Sequence, residues 1–164
     1  MELVEKFNNK REALNKVEER YTCIDGEYRQ SMHVWIMDET GKFLIQKRSP
    51  NKKIAPGVWS ITGGGVDIGE TTLQTVFREC DEELGLKVKE ENLELMMTTK
   101  TKYSFVDIYL LKQNIDISKL VLQEEEVSDV KLVSKAELYK MIKDNNFAEN
   151  VALYTDLLMK LIER

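Results

Sequence analysis

Three consecutive glycines, Gly63-Gly64-Gly65, separate a short β-branched stretch from the strongest helical pattern in the chain. A run without side chains builds no core. It lets backbone approach something closely and leaves bare amides and carbonyls against it. The segment that follows predicts a helix over 71–84. Thr71 and Gln74 make a capping box, Leu73, Val76, Phe77, Cys80 and Leu84 keep to one apolar face, and Gly85 stops the helix. Glu79, Glu82 and Glu83 stand at i, i+3 and i+4, which gathers them on one surface, and Arg78 lies four residues before Glu82. The apolar face pins the helix, so the acids cannot rotate away. Three carboxylates held this way repel one another unless a cation lies among them. Hard oxygen ligands suit Mg²⁺ or Mn²⁺, ions that bridge phosphate oxygens and activate water. Glu70, at the mouth of the helix, can accept from loop amides and helix N–H groups. An acidic helix face alone reads as a solvated surface. The glycine loop leading into it points to a metal-dependent site for a phosphate-bearing substrate.

The rest of the chain supplies a frame. Its 164 residues suit one domain, 1–164, with 1–25 as an N-terminal extension packed on it. Lys plus Arg is 24 and Asp plus Glu 29, a net charge of −5, which argues against binding a nucleic-acid polymer. No apolar run approaches the ~18 residues of a membrane span. Cys23 and Cys80 show no metal-ligand spacing and no disulfide framework, so a reducing cytoplasm is expected. Residues 2–20 fit a loose helical stripe (Leu3, Phe7, Leu14, Val17) about as well as short strands. Strands are expected at 32–37 and 42–47, joined by a turn, then at 58–62, 93–99, 103–111 and 127–133. Residues 49–56 form a basic loop. Ser134 and Glu137 cap a helix over 134–143. A closing helix over 150–162 carries Val151, Tyr154, Leu157, Leu158 and Leu161 on one face. This order predicts an α+β fold, a mixed β-sheet between helices in an α/β/α sandwich.

Gly64, five residues, Glu70, seven residues and Arg78-Glu79-Cys80-Asp81-Glu82-Glu83-Leu84-Gly85-Leu86 resemble a complete Nudix box, with Cys80 and Leu86 in the two hydrophobic slots. The resemblance implies the Nudix fold, with the box as loop–helix–loop. It also implies hydrolysis of a nucleoside diphosphate linked to another group, by water attack at phosphorus. The substrate would be a nucleotide sugar, ADP-ribose or a nucleoside di- or triphosphate, and the cofactor Mg²⁺, with Mn²⁺ as a substitute. Carried onto this chain, Glu79, Glu82 and Glu83 are metal ligands and the Gly64 carbonyl a further one. Arg78 orients the glutamates and Glu70 holds the junction. Glu79 is the usual base. Other members use a later carboxylate, here Glu126 or Glu124 from the acidic run before residue 127. Arg48, Gly63, Gly64 and Gly65 fall on the substrate side. Many relatives are dimers, so a homodimer is a further expectation.

Residues 26–86 also resemble the branch that includes isopentenyl-diphosphate isomerase, through His33-Val34-Trp35-Ile36, Phe43 to Ser49 and Pro56-Gly57-Val58-Trp59. That enzyme uses a cysteine and histidines. Counted from Trp59, the cysteine position holds Gly64 and a nearby histidine position holds Val66, so its acid–base pair is missing. A non-catalytic nucleotide-sensing Nudix domain is the alternative from another class. Simpler readings stand beside these. His33, Trp35, Trp59, Tyr103 and Phe105 suit packing better than ligation or base stacking, and Cys80 suits a buried thiol. Lys47, Arg48, Lys52 and Lys53 either bind phosphates or form a soluble basic loop.

Overall fold

Nine residues, Arg29–Met37, form the spine of the structure. The computed structural model describes residues 2–164. Strands β1 (Leu3–Phe7) and β2 (Ala13–Glu19) precede the spine strand, β3. After it come β4 (Phe43–Arg48), β5 (Trp59–Ser60), β6 (Thr62–Gly65), helix α1 (Thr72–Leu84), β7 (Leu93–Lys100), β8 (Ser104–Lys112), β9 (Val127–Val133), α2 (Lys135–Lys143) and α3 (Glu149–Ile162). Along its whole length β3 pairs in parallel with β8. Its other edge pairs antiparallel with β4 at only two positions, Ile36–Leu44 and Met37–Phe43. Beyond these the two strands part, and the chain fills the wedge. It enters along β4 as β5, bends at the buried Ile61, and leaves along β3 as β6. β9 and β7 flank the sheet on β4 and β8.

Alternation along the strands sorts side chains into two cores. Met32, Val34, Ile36, Leu44, Tyr109 and Leu111 meet Val76, Cys80 and Leu84 of α1. Trp35, Ile45, Ile108 and Leu110 meet Leu138 and Met141 of α2 and Val151, Tyr154 and Leu158 of α3. The expected α/β/α sandwich is present. Each large side chain sealed in these layers contributes roughly 1.5–3 kcal/mol. Helix α1 begins as expected: Thr71 Oγ1 accepts from Gln74 N–H at 3.2 Å, and Gln74 Oε1 accepts from Thr71 N–H at 2.8 Å. Gly85, at φ 61°, closes it with bonds from its N–H to the carbonyl of Asp81 and from Leu86 N–H to that of Cys80. No helix among the described residues is long and apolar enough to cross a membrane.

One open reading is decided and two expectations change. Residues 2–20 form an antiparallel hairpin, β1–β2, and the helical stripe is not used: Leu3, Leu14 and Val17 stay exposed while Val4 and Lys6, two apart, turn inward. The stretch expected as one strand over 58–62 is broken by the bend at Ile61, and its second half extends through the glycines. On α3 the buried stripe is Val151, Tyr154, Thr155, Leu158 and Met159. Leu157 lies about a third of a turn from the centre of that stripe and faces out.

His33 is a packing residue. Its ring stacks on Tyr154, and its Nδ1 lies 2.8 Å from the Tyr154 hydroxyl. Trp35 Nε1–H donates to the same oxygen at 3.2 Å, so the Tyr154 hydrogen is available to His33 Nδ1, which then accepts as a neutral ring. Burial pushes His33 down from 6.5 to about 4. A folded value below the unfolded one gives stability that is fully present above pH 6.5 and lost as pH falls through 4. The shift corresponds to at most about 3 kcal/mol. Thermal unfolding followed from pH 7 to 4 is expected to show this loss in the wild type and a flatter profile in His33→Asn. Parallel profiles would contradict it.

Candidate active site

The three glycines belong to a strand, not a loop. Gly63, Gly64 and Gly65 pair with His33, Met32 and Ser31 of β3. Their lack of side chains answers close approach from three directions. A Cβ on Gly63 would stand 2.8 Å from His33 Cδ2, one on Gly64 2.1 Å from Glu79 Oε1, and one on Gly65 2.5 Å from Arg20 Cζ. The α1 carboxylate face therefore lies directly against β6.

One guanidinium ties the parts together. Arg78 Nε and Nη2 donate to Glu70 Oε1 and Oε2 at 2.9 and 3.0 Å. Arg78 Nη1 donates to Glu79 Oε1 at 2.9 Å and Glu82 Oε2 at 3.3 Å, and Nη2 also reaches the Gly65 carbonyl at 3.2 Å. Strand, bend and helix share this clamp. Glu70 also accepts from Thr75 Oγ1 at 2.9 Å and Asp67 N–H at 3.3 Å. The Arg78 bond, helped by Thr75, holds the Glu70 carboxyl below its usual range despite its partial burial.

The three helix carboxylates stand at graded depth rather than together on a solvated face. Glu82 is open, with its side chain 53% exposed, and Glu79 is 14% exposed. Glu83 is buried, and Gln46 Nε2–H donates to its Oε2 at 2.8 Å. Gln46 is fixed in turn by Thr62 Oγ1–H at 2.7 Å. Burial pushes Glu83 up to about 7 against the opposing bond from Gln46. Burial also raises Glu79, with Arg78 acting the other way. Among the described residues no three His, Cys, Asp or Glu side chains are already arranged to hold a metal ion. Glu79 turns to Arg78 and Glu83 to Gln46. The donor chemistry nonetheless fits a hard divalent cation. Two poorly hydrated carboxylates and a third beside them ionise together most easily around a positive charge, and the Gly64 backbone lies against Glu79.

A cleft of about 460 Å³ opens over this array. Gly63, Gly64, Gly65, Arg78, Glu79, Glu82, Glu83, Arg48 and Glu126 all line it. Glu126 is held by Lys52 at 2.6 Å. Glu124, the other candidate, lines a separate surface hollow with Ser49 and Pro50. Trp59 is buried in the core and Phe105 packs against Tyr28. Cys80 is a buried thiol whose ionisation burial opposes. Sequence reasoning missed Arg20, Tyr21, Arg29, Ser31 and Ser104, which form one wall of the cleft. Their positions are set by the hairpin and the β3–β8 register, which no local pattern announces. It also missed Gln46, although a polar residue in the apolar run of β4 is a visible signal.

Residues 27–154 match the NUDIX domain. The chain is 33% identical over 149 residues to an uncharacterised Nudix hydrolase of Listeria innocua, covering 90% of this chain and 88% of that one. It is 28% identical over 120 residues to the nucleoside triphosphatase NudI of Escherichia coli, covering 63% of this chain and 80% of that one. Among solved structures, DR0079 from Deinococcus radiodurans matches with a TM-score of 0.79 at 19% identity, over 98% of this chain and 99% of that one. A hydrolase acting on a pyrophosphate bond is the class that these matches, the sandwich and the clamped carboxylates define. The chain belongs to the Nudix family.

Proposed function

We propose that the chain is a Mg²⁺-dependent pyrophosphohydrolase that cleaves a nucleoside-diphosphate-linked small molecule by attack of water at phosphorus. The observation that carries this reading is that the Arg78–Glu70 clamp holds Glu79 against the bare Gly64 backbone and reaches Glu82, with Glu83 lining the same cleft. Glu79, Glu82, Glu83 and the Gly64 carbonyl would hold the cation, with Mn²⁺ as a substitute. When bound, Mg²⁺ neutralises diphosphate charge and lowers the pKa of water. Arg78 is spent on carboxylates, so it positions Glu79 and Glu82 and keeps Glu70 at the junction. Arg48 makes no ion pair with a described carboxylate and is free to take a phosphate oxygen. Either Glu79, at Gly64, or Glu126, on the same cleft, would accept the proton of the attacking water. Glu126 would first have to leave Lys52.

The test is phosphate release from nucleotides and nucleotide sugars with added phosphatase, in Mg²⁺ or EDTA, for wild type and Glu82→Gln. Release that needs Mg²⁺ and falls at least about a hundredfold in the variant supports the reading. Ligand-induced stabilisation that persists in EDTA with no turnover in Mg²⁺ would replace it with a nucleotide-sensing domain.

A further inference from the structure

The cleft carries more positive charge than the carboxylate array uses, and that charge is unevenly placed. Among the described residues five cations line it: Arg20, Arg29, Arg48, Lys52 and Arg78. Arg78 is engaged by Glu70, Glu79, Glu82 and Asp67, Lys52 by Glu126, and Arg20 by Glu2 and Asp67. Arg29 and Arg48 have no carboxylate within ion-pair distance among the described residues. Arg48 lies at the end of β4 and donates from Nε to the Ile54 carbonyl at 3.2 Å. Arg29 stands at the start of β3, on the opposite side of the wedge that the glycine strand fills.

The wall around Arg29 consists largely of hydrogen-bond donors. Arg29 Nη1 donates to the Arg20 carbonyl at 3.1 Å, and its guanidinium lies over the Tyr21 ring at 5.9 Å. Ser104 is its register partner on β8, and Ser31 pairs with Gly65 on β6. Both serines line the cleft. Arg20 packs on Gly65, and its Nε is the one buried side-chain nitrogen or oxygen without a hydrogen-bond partner among the described residues. An oxyanion already sits on Arg20: the Glu2 carboxylate, 2.6 Å from Nη1. The Glu2 side chain is 64% exposed, and such surface pairs are weak and readily displaced. Tyr21 is the only aromatic residue lining the cleft among the described residues, and Arg29 covers one of its faces. Two guanidinium groups and two serines with little apolar surface make a poor platform for stacking a second base. They suit a phosphate group, which accepts forked bonds from arginine. The wall adjoins Gly65, the residue after the one that touches Glu79, and shares its cleft with the carboxylate array.

We propose that Arg29 of β3, beside Arg20 and Tyr21 at the end of the N-terminal hairpin, binds the terminal phosphomonoester of the substrate, selecting nucleoside di- and triphosphates over diphosphates capped at both ends. This rests on the pyrophosphohydrolase reading and names the substrate class of that site. It assigns the hairpin, which lies outside the matched Nudix residues 27–154, a part in specificity.

The experiment compares wild type, Arg29→Gln and Arg29→Lys in two ways. The first is the ratio of kcat/KM for a nucleoside triphosphate or diphosphate to that for UDP-glucose or ADP-ribose, in Mg²⁺. The second is calorimetric binding of inorganic pyrophosphate in EDTA, which needs no turnover. Wild type is expected to favour the uncapped substrates. Arg29→Gln should lower that ratio and weaken pyrophosphate binding, each at least about tenfold, the range of a lost charge-assisted hydrogen bond. Arg29→Lys should recover part of both. A wild type that favours capped substrates, or a ratio unchanged in Arg29→Gln, overturns the proposal. If nothing is turned over, the hydrolase reading fails on its own and the pyrophosphate arm decides: equal affinity in wild type and Arg29→Gln overturns the subsite.

Discussion

Glu79→Gln is expected to lower kcat by roughly 10³-fold while leaving the thermal midpoint nearly unchanged. The exchange keeps shape and removes charge at the carboxylate that touches Gly64 and accepts from Arg78. Charge stabilisation by a bound cation contributes several kcal/mol, and about 4 kcal/mol is the stated factor. The neighbouring clamp survives, because Arg78 keeps its forked pair with Glu70. Steady-state kinetics with a melting curve check both halves. Glu124→Gln is the control, since Glu124 lies in a different hollow and should retain wild-type activity. A Glu79→Gln enzyme keeping a tenth of its activity would remove Glu79 from the site.

Asp107→Ala is expected to cost about 2–3 kcal/mol, the range for losing hydrogen bonds to a buried charged group. Asp107 is buried, and burial alone would raise its carboxyl. Bonds from Arg11, Thr72 and Thr98 outweigh burial and bring it below the ordinary 3.8. Arg11 Nη1 and Nη2 donate at 2.9 and 2.6 Å, and the Thr72 and Thr98 hydroxyls at 2.6 Å each. A depressed carboxylate adds stability above its unfolded value and loses it as pH falls through the folded one. Alanine leaves two hydroxyls without this acceptor and leaves Gln30 as the one side-chain acceptor, among the described residues, of the guanidinium that docks the tip of the β1–β2 hairpin. Chemical denaturation should show a lower midpoint for Asp107→Ala, and Arg11→Met combined with it should add less than the sum of the two. A loss below about 1 kcal/mol would mean that the hairpin is not held through Asp107.

Much of the fold was legible because its signals are local. The capping boxes at Thr71 and Ser134, the stop at Gly85 and strand β9 stand where the sequence puts them. Residues 2–20 were not legible. Four apolar residues spread over a charged segment satisfy two periods, and the choice is made by Val4 packing inward and by Arg11 reaching a residue 96 positions away. The glycines were misread as a loop for a related reason. Glycine has no strand preference of its own, and the pairing with β3 is imposed by the wedge between β3 and β4. The carboxylates were found because helical spacing is local. Their depths were not, since Glu83 is buried by Gln46 and Thr62 from the sheet.

Hydrolysis carried out in water enriched in heavy oxygen tests the central claim most directly. A pool of nucleoside di- and triphosphates, UDP-glucose and ADP-ribose would be treated in Mg²⁺ or EDTA and the products weighed by mass spectrometry. The account predicts heavy oxygen on a phosphate of one product, in Mg²⁺ only, and its loss in Glu79→Gln. Turnover that persists in EDTA, heavy oxygen that never appears on phosphorus, or no turnover of any member of the pool in Mg²⁺ would contradict it.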